Sequence, residues 1–200
     1  MRKLSCVLMM TVLLLSGCGG KGIDEAEQAA LDIRAAYLSM AGCTGTVELT
    51  ADYGERVFQC VLFLDHTAGG DTVLTVQEPE SLKGVSARLR NGESLLEFDG
   101  VQVETGALSN TGLSPIDHIP FLLRQIQEGF ISAWSMELLE ERECVRFTTS
   151  DPNGRAGEGQ EVHLWFDKES YALIQGEVTV DGFVAIRCKV TDFTWKQKEE

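Results

Sequence analysis

The sequence is poor in the residues that carry out chemistry and in those that hold polyanions. Only three histidines stand among its 200 residues. It has no HExxH, no nucleophile elbow, no phosphate loop and no Rossmann glycine fingerprint. No CxxC pair exists, and no Cys/His cluster has zinc-ligand spacing. Lys and Arg number 17 against 31 Asp and Glu, a formal net charge of −14. That balance argues against nucleic acid as a partner, because its binding rests on neutralising phosphates. It equally disfavours lying flat on an anionic membrane. The apolar stretch from Leu4 to Leu15 is too short to span a hydrocarbon layer of about 30 Å as a helix.

What titratable chemistry remains is scattered. His66 ends a strand pattern, His118 sits at a helix entry and His163 alternates outward from Val162 and Leu164, so each reads as a surface or satisfied residue. Asp65-His66-Thr67 is no triad, since adjacent strand residues point to opposite faces. Glu137, Glu140, Glu141 and Glu143 lack the spacing of a calcium loop and read as a solvated turn. No enzyme, metal or cofactor is expected.

The N-terminus is informative. Met1-Arg2-Lys3 precedes the short apolar run, which ends in Leu15-Ser16-Gly17-Cys18. This is a secretory signal with a positive start and small residues before a cysteine. Its end resembles the lipobox of bacterial lipoproteins. The resemblance implies cleavage between Gly17 and Cys18 and a lipid on Cys18, so that the chain meets a membrane through its N-terminal lipid. The expected segments are residues 1–17 as signal, 18–23 as lipidated cysteine and glycine-rich tether, and 24–196 as one domain. Losing Arg2 and Lys3 leaves 15 basic against 31 acidic residues, a mature net charge of −16. The expected location is the outer face of the cytoplasmic membrane, or the outer membrane in a Gram-negative source. Of the six cysteines, Cys43, Cys60, Cys144 and Cys188 stay with the domain. They permit three disulfide pairings. Cys60 and Cys188 fall on apolar strand faces, where a thiol acts as a small hydrophobe, and mostly free, buried thiols are expected.

Periodicity organises the rest. Ile23, Ala26, Ala30, Ile33, Tyr37 and Met40 form one helical stripe, widened by Leu31 and Leu38, after a candidate cap at Asp24. Alternating strand patterns follow over 46–51, 57–64, 72–77, 85–90, 95–98 and 101–104. The second is so apolar that both faces are expected to be covered. Ser114-Pro115 reads as the entry of a second helix with Ile119, Leu122, Leu123, Ile126 and Phe130 on one stripe. Pro120 places the true start near itself. Strands return through Trp134, Met136 and Leu138, then Cys144 to Thr149, then Val162, Leu164 and Phe166. Two long strands around Asp181-Gly182 complete the chain, with Val184, Ile186, Cys188 and Val190 on one face of the last. The expected fold class is α+β: one large curved antiparallel sheet with two helices on its concave face.

The last third carries a family resemblance. Val162-His-Leu-Trp-Phe-Asp-Lys-Glu-Ser170, the strand from Ile174 to Val180, Asp181-Gly182, and Val190-Thr-Asp-Phe-Thr-Trp195 resemble the C-terminal meander of the LolA/LolB superfamily of lipoprotein carriers and receptors. The stretch from Lys83-Gly84 to Asp99-Gly100 resembles its middle. The resemblance implies an unclosed β-barrel lidded by helices, with an apolar cavity for acyl chains lined by Leu62, Leu64, Leu122, Ile126, Trp134, Leu164 and Phe166. The lipid-anchored GerS-type germination lipoproteins are similar too, and imply instead an exported cell-wall or spore-cortex amidase as partner. An open apolar cavity above roughly 300 Å³ points to the lipid. A filled core with an exposed apolar patch points to the protein partner.

Overall fold

The computed structural model describes residues 24–90, 92–109 and 111–197. The signal, Cys18 and the tether lie outside the described residues. Helix α1 spans Glu25–Ser39 and helix α2 spans His118–Glu128. The strands are β1 Gly42–Asp52, β2 Val57–Thr67, β3 Thr72–Glu78, β4 Ser86–Arg90, β5 Glu93–Phe98 and β6 Val101–Ala107 before α2. After it come β7 Ile131–Leu139, β8 Arg142–Ser150, β9 Gln160–Asp167, β10 Leu173–Val180 and β11 Phe183–Trp195.

All eleven strands form one sheet in the order β6-β5-β4-β3-β2-β1-β11-β10-β9-β8-β7. Every neighbouring pair is antiparallel. The first and last strands of the domain, β1 and β11, thus pair at the centre. Two meanders run outward from them, and the edges β6 and β7 stay unpaired with each other. This is the unclosed barrel that the family resemblance implies.

Alternation sorts the side chains. Val47, Leu49 and Ala51 of β1, Leu62 and Leu64 of β2, and Phe147, Leu164, Phe166 and Ile186 of the other wing are buried on the inner face. The helices cover only that second wing. The ring of Tyr37 on α1 meets Phe166 edge-on at 5.6 Å, and its hydroxyl accepts the Leu173 N–H at 3.0 Å. Leu122 of α2 nests over Gly176 of β10, where a Cβ would lie 2.3 Å from a Leu122 methyl. The helices also tie to each other. The Arg34 guanidinium donates to the carbonyls of Ile126 (2.9 Å) and Gly129 (2.5 Å), satisfying groups that a helix C-terminus leaves open.

Several expectations are corrected. Asp24 precedes α1 but makes no side-chain capping bond. Leu31 and Leu38 do not widen the buried stripe; both are exposed, because α1 buries only Ala26, Ala30, Ile33 and Tyr37 against the sheet. The outer face of β2 is uncovered: Val57 is 57% exposed and Phe63 also faces solvent, since no element lies over the convex side there. Helix α2 begins at His118, which puts Pro120 in its first turn, and Phe130 falls beyond its end in solvent. A bulge in β11 breaks its shared face: Val178 pairs with Ile186 but Thr179 pairs with Val184, so Val184 turns outward and Ala185 inward.

The four cysteines among the described residues are free. Cys60 and Cys188 both pair with Leu49, from opposite sides. Two strand spacings separate them by about 9.6 Å, beyond the ~7 Å that a disulfide bridges.

Candidate functional site: an apolar cavity in the uncovered wing

The wing β2–β5 has no helix over it. Its inner face carries Cys60 and Leu62 of β2, Leu74 and Val76 of β3, Ala87 of β4 and Leu96 of β5, which the register brings side by side. These residues, with Phe58, Gln59, Pro79, Leu82 and Val85, line a cavity of about 310 Å³. Pro115 and Ile116, from the segment ahead of α2, close it from the side opposite the sheet. Leu62, Leu74 and Ala87 are buried and form its floor, while Phe58 and Leu82 are each 50% exposed and form its mouth. No charged side chain lines it.

The closing segment is held by polar latches. The Tyr53 hydroxyl donates to the Leu113 carbonyl at 2.8 Å, and the Tyr53 ring meets Phe58 edge-on at 5.9 Å. The buried Asp117 carboxylate accepts the Ser114 N–H at 2.9 Å and the Ser109 hydroxyl. His118 beside it is fully buried rather than at the surface. Its Nδ1 pairs with the Gly112 carbonyl at 3.0 Å, and its Nε2 has no hydrogen-bond partner among the described residues. Burial pushes its pKa down to about 4, against the raising effects of that bond and of Asp117.

From the mouth, the apolar surface continues outward. Leu96 pairs with Val103, and Phe98 with Val101, on the same inner face. Phe98, Val101 and Val103 are all exposed, on a strand edge that nothing covers among the described residues. A larger hollow of about 560 Å³ lies between α2 and the 151–159 loop. Its walls include Gln125, Asp151, Arg155 and Glu158, so it offers water more than it offers an apolar ligand.

Of the residues expected to line a cavity, Leu62 does so. Leu122 and Ile126 of α2 and Leu164 and Phe166 of the covered wing are buried in the core between helices and sheet, and Leu64 of β2 is buried without lining the cavity. Trp134 projects from β7 on the same face as Phe147 but stays partly exposed at the sheet edge. Pro79, Leu82, Pro115 and Ile116 were missed by periodicity, since they sit in connections. Apolar residues among turn formers were the available signal.

The outer face holds a polar seam instead. The Glu137 carboxylate accepts from Trp165 Nε1 (2.9 Å), Ser135 and Arg146 (3.3 Å). Burial alone would raise its pKa, but these bonds hold it below the usual carboxylate range. His163 accepts from Arg146 at 3.0 Å and packs beside Trp165. Among the described residues no group of His, Cys, Asp and Glu has metal-site geometry.

The chain matches no protein-family profile and no curated protein by sequence. Solved structures are similar in fold. An uncharacterized conserved protein from Thermus thermophilus superposes with a TM-score of 0.52 at 12% identity, over 88% of this chain and 90% of that one. A putative outer membrane lipoprotein-sorting protein domain from Vibrio parahaemolyticus gives 0.48 at 10% identity, over 86% and 93%. A structure of the CwlD amidase from Clostridioides difficile in complex with the GerS lipoprotein gives 0.43 at 16% identity, over 88% of this chain and 99% of the matched one. At such identities the Thermus likeness speaks for fold alone.

Proposed function

We propose that this chain is a non-enzymatic lipoprotein of LolA/LolB type, held at the cell envelope by a lipid on Cys18, that binds an acyl chain in the cavity of its uncovered wing. The carrying observation is that cavity: about 310 Å³, lined mainly by aliphatic and aromatic side chains, with a half-exposed mouth. Residues 18–23 would tether the domain 24–196 to the membrane. Burying apolar surface, at about 25 cal/mol per Å², would supply the affinity without any charged contact.

The test is a cavity-filling variant. Ala87 lies on the floor, and Ala87→Phe would occupy the space that the chain needs. Native mass spectrometry of the wild type purified from a bacterial host should show retained acyl lipid, and A87F should show none. An apo mass for the wild type, with no uptake of a fluorescent fatty acyl probe, would sink the proposal.

One observation favours a second reading. The exposed strip Phe98, Val101 and Val103 on an open strand edge is the kind of surface that seats an exported protein partner. In that reading A87F would leave partner binding intact, whereas Val101→Asp would abolish it.

A further inference from the structure

We infer that the cavity selects a single, uncharged acyl group, a neutral ester or amide, and discriminates against the free fatty-acid anion. This rests on the acyl-chain reading above. The size sets the number of chains, since about 310 Å³ lies at the bottom of the range for ligand pockets, roughly 300–1,000 Å³. The burial gradient sets the direction. With Leu62, Leu74 and Ala87 closed off and Phe58 and Leu82 half exposed, the tail goes to the floor and the head stays at the mouth.

Charge then sets the head group. A carboxylate at the mouth meets no cation from the lining. Lys83, next to Leu82, is held by Glu80 at 3.1 Å. Arg56 lies two residues before Phe58, in a turn with Glu55 that follows Asp52 at the end of β1, so Asp52, Glu55 and Glu80 outnumber Arg56 and Lys83. An ionised carboxylate with no partner keeps its water and cannot follow the chain inward. Each methylene that it holds outside weakens binding about fourfold. A neutral ester costs far less to desolvate than an anion, and at the half-exposed mouth its carbonyl keeps access to water.

The experiment compares monolauroylglycerol with laurate, two ligands of equal chain length. The full chain is kept soluble in a fluorinated surfactant, which does not mix with acyl chains, at about pH 8 where the carboxyl is ionised. Affinity is read by titration calorimetry, and occupancy of the cavity by the rate of alkylation at Cys60. The ester should bind one per chain, at least about tenfold more tightly than laurate, the effect of about two methylenes. Leu82→Arg, which sets a cation at the mouth, should raise the ratio of laurate to ester affinity about tenfold. Leu82→Gln, the uncharged control, should not raise it. Equal binding of the two ligands to the wild type, or no gain in that ratio in L82R, would overturn the selectivity while leaving acyl binding in place. If neither ligand binds or slows alkylation of Cys60, the acyl-chain reading falls and this inference falls with it.

Discussion

His118 makes a prediction whose size follows from its surroundings. The imidazole is 0% exposed, with one nitrogen on the Gly112 carbonyl and the other unpartnered among the described residues. Desolvation holds its pKa at about 4, whereas the unfolded chain titrates near 6.5. Above pH 6.5 both states are neutral, and the folded state keeps the whole of its stability. As pH falls toward 4, the unfolded state takes up a proton that the folded state refuses, and stability drains away. At about 1.4 kcal/mol per pH unit, the window from 6.5 to about 4 is worth about 3 kcal/mol. That is a large share of the roughly 5–15 kcal/mol of a typical domain. The assay is urea unfolding at a series of pH values on the wild type and on His118→Asn. The asparagine amide can reproduce the donor to Gly112 but does not titrate in this range. Carboxylates such as Asp167 also lose stabilising bonds in acid, so the difference between the two proteins is the quantity to read. The wild type should lose about 2–3 kcal/mol more than H118N across the window. Parallel pH profiles would refute the argument that His118 is buried neutral.

Two further outcomes follow from packing. Gly176→Ala should destabilise the domain by about 1–3 kcal/mol, because its Cβ would press on Leu122 at 2.3 Å in a filled core; unchanged urea midpoints would contradict that packing. Under native conditions a thiol reagent should modify Cys60 alone among the four described cysteines. Burial raises the pKa of all four thiols, Cys43 and Cys188 to about 12, but Cys43, Cys144 and Cys188 are buried whereas Cys60 is partly exposed. Stoichiometric labelling of Cys188 in the folded protein would count against the arrangement of the β1/β11 seam.

The strands were readable because their signals are local. Val162, Leu164 and Phe166 alternate with Glu161, His163, Trp165 and Asp167, and β9 buries those three together with Trp165. Asp181-Gly182 announces a two-residue hairpin, and both residues adopt the positive φ such a turn needs, 50° and 78°. The bulge at Ala185 was not readable, since an extra residue leaves no trace in an otherwise alternating pattern. The location of the cavity was not readable for a different reason. Leu62 and Leu164 look alike in sequence, both apolar and both on an inner face. One faces open space and the other faces α2, and only the docking of the helices distinguishes them.

That docking is itself constrained by size. Eleven strands at about 4.8 Å spacing make a sheet about 48 Å wide. Helix α1, with 15 residues, is about 22 Å long, and α2, with 11, about 16 Å. Each is about 10 Å across, so in no orientation can the pair cover the whole inner face. Their mutual ties through Arg34, and the contacts of Tyr37 and Leu122, set both on the same wing. The uncovered wing must then bury its apolar residues with what remains, the 3-10 turn at Leu82 and the strap at Pro115 and Ile116. Those short segments close the sides but cannot fill the middle. The cavity follows from giving a wide sheet too few helices, and the strap that closes it is pinned by Tyr53 and Asp117.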